Sequence, residues 1–136
     1  MKTHFKNILG LTIAVFFLLT AISCGDDPKP QPEPTKSELI AQNWSLRSVS
    51  IGGQPENISG YSIRFQSNGN FNFTTPNVPG LPSSGTWAIN ASETVIILNG
   101  SIELPIRTLT KTNFAFDYTY ENHKEGNVTV LFVLGV

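Results

Sequence analysis

Apolar residues recur at every second position through most of residues 44–134. That period is the signature of strands with one buried face. Eight stretches carry it or are wholly apolar: Trp44–Ile51, Tyr61–Gln66, Phe71–Thr74, Gly85–Ile89, Thr94–Leu98, Ser101–Ile106, Phe114–Tyr120 and Val128–Leu134. Asn68-Gly69 parts the second stretch from the third, and Asn99-Gly100 the fifth from the sixth. Asn-Gly predicts type I′ hairpin turns, in which both residues take positive φ. Asn90–Glu93 and Glu121–Gly126 supply further turns, whereas Thr75–Ser83, with Pro76, Pro79 and Pro82, predicts a long irregular loop. Ahead of the strands, Thr35-Lys-Ser-Glu38 fits a capping box and predicts a short helix over Ser37–Gln42. Eight short strands joined in sequence predict an all-β antiparallel meander. Closure into an eight-stranded up-and-down barrel best removes its free edges.

The pattern before residue 37 differs. Lys2, His4 and Lys6 precede an almost wholly apolar run, Ile8–Ile22, that ends in Ser23-Cys24. A basic start, a short apolar run and small residues at a cut describe a secretory signal. The run of 15 residues is shorter than the roughly 20 a membrane-spanning helix needs. Cys24, the only cysteine, then reads as the acceptor of a lipid, as in bacterial lipoproteins. Prolines 28, 30, 32 and 34 forbid helix and central strand. They favour extended polyproline II, which gives residues 25–36 a reach of roughly 30–40 Å. The expected organisation is a signal peptide over 1–23, a lipidated Cys24 and proline-rich tether over 24–36, and one barrel domain over 37–136.

Charge narrows the partners. The chain has nine Lys+Arg and ten Asp+Glu, and loss of residues 1–23 leaves a net charge of −3. The cations are scattered, so no basic cluster exists to neutralise nucleic-acid phosphates. His123 is the sole histidine beyond the signal, which excludes a Ser-His-Asp triad or a histidine-rich metal site. It lies in the polar turn Glu121–Glu125 and reads as a solvated loop residue. Glu103 and Asp117 are the acids expected inside strands, each alternating with apolar neighbours, and both are expected to face solvent. No glycine-rich phosphate loop sits between a strand and a helix. No enzyme and no cofactor are expected.

Aromatic residues are the concentrated feature. Phe114, Phe116, Tyr118 and Tyr120 share one face of a strand, and Phe71 and Phe73 share a face of another. With Trp44 and Trp87 they either pack as a core or line a cavity for a small apolar or sugar ligand. Eight-stranded barrels sit at the size where both are feasible. The tyrosines suit a pocket mouth, offering an apolar ring and a polar hydroxyl.

The helix-then-Trp44 start, Phe65-x3-Gly69-x-Phe71, Gly85-Thr86-Trp87 and the late Leu109-Thr110…Phe114-x-Phe116 carry a resemblance. Over residues 37–136 the chain resembles small lipocalin-like lipoproteins of Bacteroidota. Asp26-Asp27, just after Cys24, resembles the surface-export signal of those lipoproteins. The resemblance implies an eight-stranded lipocalin-like barrel, held to the outer membrane through lipid and facing the periplasm or the cell surface. It implies no defined ligand. The expected function is a tethered binding or structural module. The alternative is a protein-binding inhibitor or assembly partner acting through the 75–83 loop, since long loops often carry function.

Overall fold

The computed structural model describes residues 29–57, 60–74 and 78–136. The expected signal over 1–23, Cys24, the tether as far as Pro28 and Thr75–Asn77 of the loop lie outside the described residues. Residues 29–33 are exposed and without regular structure, and belong to a unit separate from Pro34–Val136.

In the second unit, α1 (Lys36–Ile40) precedes nine strands: β1 (Asn43–Ile51), β2 (Gln54–Pro55), β3 (Ser62–Phe65), β4 (Asn70–Thr74), β5 (Ser84–Ile89), β6 (Val95–Leu98), β7 (Ile102–Leu109), β8 (Asn113–Asn122) and β9 (Gly126–Gly135). Apart from β2, consecutive strands are antiparallel neighbours, and β1 pairs with β9 to close an eight-stranded barrel. This is the expected lipocalin-like architecture. The tiny β2 is an addition. It folds back on the end of β1 through Gly52-Gly53, whose φ values of 57° and 83° build the tight turn.

α1 is tied as its capping box demands. Glu38 N–H donates to Thr35 Oγ1 at 3.2 Å, and Thr35 N–H donates to Glu38 Oε2 at 2.7 Å. The helix stops at Ile40, two residues short of the expected Gln42, because Ala41 leaves helical geometry (ψ 65°). Trp44 Nε1 then donates to the Ile40 carbonyl at 3.0 Å. Ile40 is fully buried, so α1 closes the barrel end where β1, β4, β6 and β8 begin. Lys36 Nζ reaches the Glu93 carbonyl in the β5–β6 turn at 3.0 Å, at that same end.

Of the two Asn-Gly turns, one forms as expected. Asn99 and Gly100 both take positive φ, 50° and 74°. At Asn68-Gly69 only the glycine does (φ 84°). There Gly69 N–H donates to the Gln66 carbonyl, and Asn68 Oδ1 accepts from Asn70 N–H at 3.1 Å. The asparagine side chain thus closes the turn on itself, and the glycine alone enters the left-handed region.

Two bulges set the inward faces. Register shifts between Leu46 and Ser48 and between Ile106 and Thr108 make Arg47 and Arg107 the extra residues. The first bulge explains why Trp44 and Leu46 face inward and the next buried residue is Val49, not Ser48. Outside the bulges the alternation holds, as in β3, β4 and β8, and fills the barrel with apolar side chains.

Candidate functional site

The eight aromatic candidates converge on the barrel interior. Trp44, Phe71, Phe73, Phe114, Phe116 and Tyr118 are buried, while Trp87 and Tyr120 are half-buried against the same cluster. Their rings touch in a chain. Trp44 lies 5.2 Å from Phe114, Phe114 lies 5.2 Å from Phe116, and Phe116 stacks on Phe132 at 5.0 Å. Phe71 and Phe73, on one face of β4, meet at 4.6 Å. Tilted and edge-to-face contacts of this kind add to area burial. Phe65 is the hub that the aromatic reading omitted. It meets Phe73, Trp87 and Phe114 at 5.3, 5.3 and 6.1 Å. Its signal was present, since Ile63 and Phe65 alternate inward in β3. Phe132 was likewise legible from Val128-x-Val130-x-Phe132-x-Leu134.

The barrel mouth lies opposite α1. β8 rises toward it, ending its inward face in Tyr118 and Tyr120, which stack at 6.2 Å and 25°. Tyr118 Oη donates to the Pro79 carbonyl at 2.9 Å. Burial raises the Tyr118 phenol above its ordinary 10.0, and Tyr120 adds to the effect. The described part of the 75–83 loop docks over this mouth. Val78 is buried in the core and Leu81 packs against it, while Pro79 and Gly80 form the exposed tip. Val78 and Leu81 therefore turn their side chains into the barrel, not toward solvent.

Grooves open on the outer wall among the described residues, and two of them matter to the candidate residues. One, of about 320 Å³, lies between α1 and β5, lined by Ser37, Glu38, Ala41, Gly69, Trp87 and Ile89 among others. Trp87 is fixed there by its Nε1 bond to the Gln66 carbonyl at 2.9 Å. Glu38 stands on its rim, its carboxyl held below the ordinary range by the Thr35 amide and then the Thr35 hydroxyl. The other, of about 500 Å³, lies between β7 and β8.

Both expected acids project from the outer wall, on opposite strands of that second groove. Glu103 is exposed. Asp117 is not simply solvated: Arg107, the bulge residue of β7, donates from Nε to its Oδ2 at 2.7 Å. Asp117 Oδ1 is buried without a partner. A third strand acid, Glu121, was missed because β8 runs two residues past Tyr120. His123 is exposed in the β8–β9 turn. Among the described residues, no three His, Cys, Asp or Glu residues are placed to hold a metal ion.

No family model, curated protein or solved structure matches this chain.

Proposed function

We propose that this chain is a lipid-anchored protein of the bacterial outer-membrane envelope, a lipocalin-like lipoprotein of the Bacteroidota type, whose barrel is a non-catalytic binding or structural module. The anchor rests on the apolar run that ends in Ser23-Cys24 and passes into alternating prolines. A lipid on Cys24 would be the sole membrane attachment, with the tether holding the barrel clear of the headgroups. The binding module rests on one structural observation: the interior is occupied by contacting rings, so recognition falls to the outer wall and the capped mouth.

Detergent partitioning of the full chain tests the anchor. Wild type is expected in the detergent phase and Cys24→Ala in the aqueous phase. A variant that stays with the membrane as firmly as wild type removes the anchor reading.

A second reading is a small apolar or sugar ligand, for which the half-buried Trp87 ring in the α1–β5 groove is the supporting observation. A thermal-shift screen with lipids, sugars and small aromatics checks it, with Trp87→Ala as the variant expected to abolish any shift. A protein partner gripping the exposed Pro79-Gly80 tip is tested by Pro79→Glu, which keeps the buried Val78 and the carbonyl that Tyr118 grips, and is expected to abolish capture while leaving small-ligand binding intact.

A further inference from the structure

One pair of neighbouring strands in the barrel wall does not zip along its length. β7 and β8 pair from Leu109/Phe114 to Ile106/Phe116 and no further, although β7 begins at Ile102 and β8 continues to Asn122. The cause can be read from backbone direction. Asn113 C=O accepts from Thr110 N–H. Alternation along an antiparallel strand then turns the backbone groups of Asp117, Thr119 and Glu121 toward β7, and those of Tyr118 and Tyr120 toward β9. On β7, Ile106 N–H donates to the Thr94 carbonyl ahead of β6. The groups of Leu104 and Ile102 therefore face β6, and those of Pro105 and Glu103 face β8. The next donor the β7–β8 ladder requires is Pro105, which has no N–H. The strands part there, just beyond the Arg107 bulge, whose added twist helps them diverge.

The parted strands enclose the 500 Å³ groove, lined by Ser101, Ile102, Glu103, Pro105, Tyr118 and Thr119. A gap bordered by strand edges with backbone groups facing into it is a template for another strand. Its exposed charges are acidic. Glu103 lines it, and Glu121 is the next outward residue of β8 after Thr119. Arg107 does not offset them, because Asp117 holds it at 2.7 Å, and Lys124 lies beyond, in the β8–β9 turn.

We propose that this seam takes a basic, extended segment of a partner protein, added as a short strand along the facing edges of β7 and β8. Backbone bonds to Thr119, Glu121 and Glu103 would supply affinity, and Glu103 and Glu121 would select lysine or arginine. The proposal rests on the binding-module reading and names the partner's chemistry.

The test is amide exchange by NMR on the full chain in detergent micelles. In the free protein, Thr119 and Glu121 amides are expected to exchange quickly while those of Tyr118 and Tyr120 stay protected. Equal protection at all four would mean the seam is already closed, and overturns the proposal. The probe is a synthetic heptapeptide alternating lysine with valine and threonine. It is expected to slow exchange at Thr119 and Glu121. The same peptide N-methylated at alternate amides is expected not to bind. Glu103→Lys with Glu121→Lys, both exposed positions, is expected to lose the basic peptide and retain the fold. No binding by the basic peptide, or binding indifferent to N-methylation, overturns the proposal. A ligand that shifts the melt through Trp87 while the seam stays silent would leave the binding module standing and remove only the seam.

Discussion

Tyr118 holds the loop before β5 to the barrel mouth, donating its hydroxyl to the Pro79 carbonyl at 2.9 Å. Gly80, the next residue, takes φ 76°, and a Cβ there would stand 2.6 Å from that hydroxyl. Tyr118→Phe should cost about 0.5–1.5 kcal/mol, the net worth of one hydrogen bond. Gly80→Ala should cost roughly 1–2 kcal/mol for the left-handed backbone alone, plus the clash. In Tyr118→Phe the clash is relieved, so the two substitutions should cost less together than their sum. Urea unfolding of the double-mutant cycle measures this coupling, and strict additivity would show that the hydroxyl does not pin the loop.

Phe116 sits between Phe114 and Phe132 in the middle of the ring chain. Phe116→Ala should destabilise by about 3–5 kcal/mol, as truncations in packed cores do. Phe116→Leu should cost far less because it keeps most of the volume. Urea unfolding curves for both check the packed interior. A small loss in the alanine variant, with a melt that rises on adding a small aromatic, would point to an interior ligand.

Glu38 adds pH dependence at the α1 end. The Thr35 amide and hydroxyl lower its pKa in the fold from about 4.5, so its stabilisation is present above that value and is lost as pH falls through the folded pKa. Glu38→Gln should therefore be less stable than wild type at neutral pH, with the gap closing as pH drops below about 4.5. Thermal melts of both proteins from pH 7 to pH 3 follow it. A gap that stays constant across the range would show that the carboxylate charge is irrelevant to the cap.

Arg107 and Asp117 should respond unequally to removal. Arg107→Ala strips Asp117 of its one partner and leaves a carboxylate whose side chain is only 16% exposed. Asp117→Asn removes the charge and leaves Arg107, 59% exposed, in water. The arginine variant should lose about 1 kcal/mol, discounted for solvent screening, and the asparagine variant less. Equal losses in chemical denaturation would mean the pair acts only through packing.

The eight main strands were legible because a strand with one face on a core has to alternate, and alternation survives in the bare sequence. The capping box was legible for the same local reason, since both of its bonds join residues three apart. The aromatic set was legible as inward-facing, but its centre was not. Phe65 reads as inward-facing beside Ile63, but only the pairing of β3 with β4 and of β4 with β5 brings Phe73 and Trp87 to it. The bulges were hidden because each adds one residue whose neighbour lies on another strand. β2 escaped because two residues cannot display a period.

Local pattern thus determined the all-β class, the number of main strands, the positions of the turns and the facing of most side chains. These depend on neighbours within a few positions. The tertiary structure alone decided which rings meet, that Val78 and Leu81 turn into the barrel, and that Arg107 holds Asp117. It also decided where the wall parts. Pro105 can be seen in the sequence, but it becomes a break only when the register set by Thr94–Ile106 and Thr110–Asn113 makes it the donor the β7–β8 ladder needs.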